Sequence, residues 1–256
     1  MKEYEEPRAK GEKDFKDKHK VEYNYFWADT FLGMSNKEFD EFCEMYSDIK
    51  LPFWMQTRPE TISDYNISKL AQVGLHRISF GVEHGNEEFR AKILDRRWKN
   101  KEIIEKLKIP KKYNVAFSVN NITGFPTETK KLAFDTIELN RFIDADNANI
   151  YAFVPFHGTE LRDVAEKQGL VDKEFIFTTS NSSDEGVLDM PQWRKSEVAK
   201  LRKTFTMYVK FPKSRWPEIE KAETDPVLFN KLSNEYIDTF WSKKDEDLKD
   251  AVKGLF

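Results

Sequence analysis

Polar side chains stand where several apolar segments of this 256-residue chain end. Ligands bind beyond the carboxyl ends of parallel strands, so chemistry is expected at these positions. The carboxylate of Glu83 follows the apolar run 78–82, and its burial costs free energy unless a ligand or a cation meets it. We therefore predict one polar pocket formed by Asp29, Gln56, Arg58, Glu83, Asn120, Asn121 and His157.

Some of these residues also have a purely structural interpretation. Asp29 could cap the turn that follows it, and Arg58 could be a surface ion-pair partner ahead of Pro59. Gly124 could be an ordinary turn residue. No spacing of His, Cys, Asp and Glu resembles a zinc site, so no metal ligands are predicted.

Five strands that alternate with helices must position the polar residues. Segments rich in β-branched and aromatic residues predict strands at 21–29, 51–58, 76–83, 115–125 and 147–156. Helical spacing and end signals predict helices at 35–46, 63–73, 87–94, 99–113, 129–143 and 161–168. The alternation predicts an α/β fold with a parallel sheet, either open and doubly wound or a full or partial barrel.

The chain divides into three regions by composition. Residues 1–20 are polar and predict a flexible lead-in, and 21–170 hold the strands and their helices. Residues 171–256 predict a long loop and a helical extension with helices at 195–210 and 226–241.

Composition limits the partners and the compartment. Lys and Arg number 42 against 45 Asp and Glu, a formal net charge of −3, so neither nucleic acid nor an anionic membrane is expected as a partner. No apolar run approaches the ~20 residues that span a bilayer. The only cysteine, Cys43, cannot form an intrachain disulfide, which fits a reducing, cytoplasmic compartment. No G-x-G-x-x-G or P-loop pattern supports a nicotinamide or nucleotide fold.

Five motifs occur in a fixed order along the segment from about 21 to 169: WADTF, LPFWMQTRPE, ISFGVEHGNEEFRAKILDR, VNNITGFPTET and FVPFHGTEL. In this order they resemble the radical S-adenosylmethionine (SAM) superfamily, and within it the branch that often carries an upstream cobalamin-binding domain. The resemblance implies a partial (β/α) barrel of TIM-like type with parallel strands, followed by the helical extension.

The resemblance also implies a chemistry and assigns roles. Such enzymes cleave SAM reductively at a [4Fe–4S] cluster held by three cysteines, for radical methylation or rearrangement. Glu83 matches the position that binds the ribose, and Arg58 or Arg97 would meet the methionyl carboxylate. The adenine wall would comprise Ile122, Gly124, Phe125 and Phe153, whereas Asp29, Gln56, Asn120, Asn121 and His157 would face the substrate.

The chain departs from the family pattern at the cluster. The C-x-x-x-C-x-x-C loop of the family follows its first strand, whereas this chain resembles the family from the second strand onward. Cys43 stands alone, so the chain is expected to be inactive by itself. It would be a fragment, one half of a split enzyme, or a non-catalytic remnant that binds a small molecule or a protein. The first strand would be an unprotected edge, which favours a partner chain or self-association.

Overall fold

The computed structural model describes residues 18–177 and 187–241. Their contacts form two compact units. Unit 1 comprises the described residues up to 122 together with 132–149, and unit 2 comprises 123–131 and the described residues from 150 onward. The boundaries expected near residues 20 and 170 stay predictions.

The sheet has the five strands that the sequence predicted, and they lie in chain order. Its strands are β1 (Asn24–Phe26), β2 (Phe53–Thr57), β3 (Leu75–Glu83), β4 (Ala116–Thr123) and β5 (Asn147–Ala152). The pairs β1–β2, β2–β3 and β3–β4 are parallel. Parallel neighbours need long crossovers, and helices supply them here, which confirms the α/β fold class.

Six helices lie between successive strands, and side chains of Ser35, Ser63 and Asn86 cap the starts of the first three. They are α1 (Asn36–Ile49), α2 (Asp64–Val73), α3 (Glu87–Ile93), α4 (Asn100–Lys106), α5 (Ile109–Lys112) and α6 (Lys130–Ile143). Ser35 and Glu38 form the capping box expected at the start of α1. The single helix predicted over 99–113 is wrong, because α4 stops before Pro110 and α5 begins one residue ahead of it.

The core of unit 1 lies on one face of the sheet. Alternate strand residues such as Phe53, Met55, Ile78, Phe80 and Phe117 are fully buried in it and pack in one cluster with residues of the helices. Because successive strand residues point to opposite faces, the intervening residues lie on the other face. That second face, called here the polar face, carries Tyr25, Trp54, Gln56, Ser79, Gly81, Ser118, Asn120, Asn147 and Asn149.

Unit 2 is mainly helical beyond the last strand. Its helices are α7 (Glu160–Lys167), α8 (Lys195–Lys210), α9 (Trp216–Ala222) and α10 (Pro226–Tyr236), and a π-helical turn (Ile237–Trp241) follows. This confirms the helical extension, although the sequence did not predict α9. Part of the loop expected at 172–191 lies outside the described residues. No described helix is long and apolar enough to cross a membrane.

Candidate functional site

The polar face of unit 1 holds a connected set of hydrogen bonds. Trp54 Nε1 donates to Ser79 Oγ at 3.0 Å, and Ser79 Oγ lies 2.8 Å from Ser118 Oγ. Both serines are buried. Buried hydroxyls are stable only when paired, so this side of the sheet is built for polar groups.

Glu83 ends β3 with its backbone turned out of the strand. Its φ is +70°, and the pairing of β3 with β4 shifts register between Gly81 and Glu83. The carboxylate folds back over Gly81, where a Cβ would lie 2.5 Å from Glu83 Oε1. The absence of a side chain at Gly81 therefore makes room for the carboxylate.

Arg96 holds the Glu83 carboxylate. Its Nη1 lies 3.2 Å from Glu83 Oε1 and donates to Gly81 O at 3.0 Å, and the two side chains are only 23% and 17% exposed. Burial raises the pKa of Glu83, while the nearby guanidiniums of Arg96 and Arg58 lower it and Glu60 raises it further. The net direction is upward, so burial outweighs the two cations.

Arg58 and Arg97 line a cavity of about 560 Å³ together with Glu60, Asp95, Arg96, Trp98 and Glu102. Arg97 makes a local ion pair with Asp95, with 3.0 Å between Nη2 and Oδ1. Arg58 is exposed and acts on Glu83 through its charge. The structure thus places both predicted arginines in one cavity, and Arg96 is the one in contact with Glu83.

The turn after Glu83 is held by buried contacts. The ring of His84 is fully buried and lies 4.4 Å from the ring of Phe89, and its Nδ1 accepts from Asn86 N. Arg90, also buried, donates to His84 O at 2.6 Å and to Trp98 O at 2.5 Å. Arg90 therefore ties the segment that carries Arg96 to the end of β3.

Asn120 and Asn121 have different surroundings although they are adjacent. Asn120 lies on the polar face, where its Oδ1 accepts from Asn149 Nδ2 at 2.9 Å. Asn121 is fully buried and exchanges hydrogen bonds of 3.3 and 3.1 Å with Asn140 of α6. Adjacent strand residues point to opposite faces, so the structure does not bring Asn121 to the polar face.

Within unit 2, the residues predicted for the adenine wall surround a tight turn. Phe125 and Phe153 are buried with 5.0 Å between ring centroids, and Phe153 N donates to Thr123 O at 2.7 Å. The buried carboxylate of Glu128 accepts from Thr123 Oγ1 at 3.1 Å, Gly124 N at 2.5 Å and Phe125 N at 3.1 Å.

The remaining predicted residues lie on three different segments. Gln56 is on the polar face and its Nε2 donates to Tyr25 Oη. Asp29 is exposed in the turn after β1. In unit 2, His157 is exposed and its Nε2 lies 3.1 Å from Phe175 O. Ile122, predicted for the adenine wall, is half-buried in β4.

Cys43 does not supply a cluster site. It is buried in α1, and burial raises the pKa of its thiol to about 11, so it stays protonated at neutral pH. Within the described ranges, no group of three or more His, Cys, Asp and Glu could hold a metal ion. A [4Fe–4S] cluster needs several thiolates, so the residues present do not fit one.

A family comparison identifies the motifs. The model of the radical SAM superfamily matches residues 13–139, a range that contains β1 to β4 and the Glu83 turn. The chain belongs to the radical SAM superfamily.

Other radical SAM proteins are similar over part of their length. A tRNA-2-methylthio-N(6)-dimethylallyladenosine synthase of Halalkalibacterium halodurans is 33% identical over 119 residues, which is 44% of this chain and 21% of the relative. The synthase of the same name from Treponema pallidum is 29% identical over 210 residues, 77% of this chain and 44% of the relative. The chain therefore spans less than half the length of these radical SAM relatives.

Solved radical SAM structures share the fold. The cobalamin-dependent SAM radical enzyme OxsB, with aqua-cobalamin and SAM bound, covers 91% of this chain and 41% of its own, with a TM-score of 0.54 and 13% identity. The radical SAM methyltransferase TsrM of Kitasatospora setae, with cobalamin and a [4Fe-4S] cluster bound, covers 87% and 54%, with a TM-score of 0.52 and 11% identity. At these identities the likeness shows the fold alone.

Sequence reasoning missed several residues of this candidate site. Arg96 follows α3 in a loop, and the adjacent Arg97 was chosen in its place. For the strand residues, the alternation of side chains could have served as a signal, because it puts Ser79, Ser118 and Asn149 on the same face as Asn120. Glu128 was recognised as part of a motif, but the sequence gave no reason to expect its three backbone and hydroxyl donors.

Proposed function

We propose that this chain binds SAM on the polar face of unit 1, with the Glu83 carboxylate as the acceptor for the ribose hydroxyls. The observation that carries the proposal is a half-buried carboxylate at a strand end, folded over Gly81 and held by Arg96. Among the described residues, Arg96 is the cation in contact with Glu83 Oε1, and a carboxylate accepts several hydrogen bonds, so acceptor capacity remains for a ligand. Family membership supports SAM as that ligand.

The cavity beside Glu83 accounts for the charged end of the ligand. A methionyl carboxylate needs a cation or fixed amide donors, and the exposed guanidinium of Arg58 lies in the cavity that Arg96 also lines. This role is part of the proposal.

The Glu83→Gln variant is expected to weaken SAM binding about tenfold without loss of stability. Gln keeps one acceptor but lacks the charge. Because the folded-state pKa of Glu83 is raised, its stabilising contribution is present below the unfolded-state value of about 4.3 and is lost as pH rises through the folded-state pKa. At pH 7.5 the variant should therefore unfold at the same or a higher urea concentration than the wild type.

Isothermal titration with SAM and urea unfolding measure the two effects. Glu88→Gln is the matched control, since Glu88 loses the same charge but is exposed on α3, outside the polar face and the cavity. Its SAM affinity should stay within about twofold. Equal SAM affinity of the wild type and Glu83→Gln would contradict the role of Glu83. If SAM did not saturate the wild type, SAM would not be the ligand.

We further propose that the chain alone does not cleave SAM. Anaerobic treatment with iron and sulfide should give neither the absorption of a [4Fe–4S] cluster nor 5′-deoxyadenosine after addition of SAM and a reductant. The reason is the thiolate count, because buried Cys43 is the only cysteine in the sequence. A stable cluster with deoxyadenosine formed would contradict this.

Two arrangements are compatible with such a chain. As one half of a split enzyme, it would receive cluster ligands from a partner chain; as a non-catalytic remnant, it would use the pocket for binding only. The split arrangement is supported by β1, which is the edge of the sheet and pairs only with β2 among the described strands. The tRNA substrate named for the relatives is not carried over, because the chain spans less than half of them. The absence of nucleic-acid binding and the cytoplasmic location stay predictions.

A further inference from the structure

A groove of about 720 Å³ lies on the helix-covered side of unit 1, lined by residues of α4, of α6 and of the first turn of α3. The inner sides of these helices pack on the buried strand residues, because Ile103 of α4 and Leu139 and Ile143 of α6 belong to the core cluster. The polar face is the other side of the same sheet. The groove is therefore separate from the surface proposed to bind SAM.

An apolar strip runs along the groove. It comprises Ile104 of α4 with Leu139 and Phe142 of α6, and the Phe142 side chain is 71% exposed. Residues three and four apart share one side of a helix, so Asp135 and Glu138 extend the same stripe of α6. This stripe, from Asp135 to Phe142, is roughly 10 Å long, about two helical turns. An exposed phenylalanine beside apolar neighbours gains free energy when a partner covers it.

The border of the groove is acidic. Lys99 pairs with Glu87 at 3.2 Å, and Lys108 pairs with Glu105 at 2.6 Å. With Lys101, which also lines the groove, three lysines face five lining carboxylates, a formal charge of −2. An excess of carboxylates around an apolar strip favours a partner that carries cations beside its own apolar residues.

The walls of the groove favour a helix as the occupant. The backbone groups of α4 and α6 bond within each helix, so an extended peptide would find no strand edge to pair with. An α-helix satisfies its own backbone, and its side chains can pack between two others at an axis separation of roughly 8–10 Å. The cavity is also larger than any single side chain can fill.

We propose that this groove docks an amphipathic helix of a partner protein. Large aliphatic residues of that helix, spaced three and four apart, cover Phe142 and Leu139, and its Lys or Arg residues face the acidic border. The proposal goes beyond SAM binding and does not depend on it, because the groove and the polar face are on opposite sides of the sheet.

Two synthetic peptides test the proposal on the full chain. Each has about 18 residues, enough to form a helix, with Leu on one side. The other side carries Lys in the basic peptide and Glu in the acidic peptide. In fluorescence anisotropy, the basic peptide should bind saturably with one-to-one stoichiometry. The acidic peptide should bind at least about tenfold more weakly, because it meets carboxylates of the same sign.

Phe142→Ala should weaken the basic peptide about tenfold, since the complex would bury the ring that the free chain exposes. Glu88→Gln, at the groove border, should weaken it roughly threefold. Phe156→Ala is the control for Phe142→Ala, because Phe156 is also exposed but belongs to unit 2 and does not line the groove. It should bind the peptide as the wild type does. Both alanine variants should unfold at the same urea concentration as the wild type.

Equal binding of the basic peptide by Phe142→Ala and the wild type would overturn the proposal, as would equal binding of the two peptides. Spermidine that displaced the basic peptide with similar affinity would indicate a small-cation site instead. Self-association of the wild type that Phe142→Ala abolished in sedimentation would assign the groove to a second copy of the chain. Either result would refute the helical partner. Phe142→Ala should bind SAM as the wild type does, so the groove and the SAM site can fail separately.

Discussion

Gly85→Ala is expected to lower the free energy of unfolding by about 3 kcal/mol, because the added methyl group overlaps the backbone of a packed helix. A Cβ at this position would clash with Asp135 O and Thr136 Cα in α6. The turn has no room to retreat, since Gly85 N donates to Thr136 Oγ1 at 2.9 Å and Gly85 O accepts from Asn100 Nδ2 at 2.8 Å.

Thermal unfolding measures this effect, and the midpoint should fall by roughly 6 to 12 °C. Gly158→Ala is the control, since a Cβ at Gly158 meets nothing within 4 Å and its φ of +81° costs only the strain of left-handed backbone, about 1 kcal/mol. If both variants melted at the same temperature, the close packing of the Glu83 turn on α6 would be wrong.

Glu128→Ala is expected to destabilise the chain by at least about 3 kcal/mol. The substitution leaves Thr123 Oγ1 and the amides of Gly124 and Phe125 without their acceptor in a buried turn.

The Glu128→Gln variant tests how much stability depends on both carboxylate oxygens acting as acceptors. Gln keeps one acceptor oxygen but presents an NH₂ group to backbone donors, so its loss should be intermediate. The neighbouring Thr127→Ala is the control: Thr127 is exposed, and its change should stay within about 0.5 kcal/mol. A Glu128→Ala variant as stable as Thr127→Ala would show that the three hydrogen bonds do not hold the turn.

Strand and helix order could be predicted because apolar periodicity, caps and turn residues act locally. The Ser35 capping box and the parallel strands around Ile78 and Phe117 follow from such signals. The prediction of one continuous helix across Pro110 failed. The residues around it have helical spacing, but the proline lacks the backbone N–H that a residue inside a helix donates.

The residues of the candidate site were harder to predict, because their contacts join distant segments. Glu83 stood out by its chemistry alone. Arg96 could not be told from Arg97 without the geometry of the loop, which depends on the buried side chain of Arg90. Asn121 could have been set aside by strand parity, since it cannot share a face with Asn120.

The buried amide pair of Asn121 and Asn140 has a consequence for how the chain finds its structure. Apolar side chains tolerate small slips of a helix along a sheet, whereas two amides that exchange hydrogen bonds fit in one setting only. Asn140 Nδ2 also donates to Thr136 O within α6. The pair therefore fixes the rotation of α6 against β4. A helix docked in another position would bury unpaired amides and would be less stable.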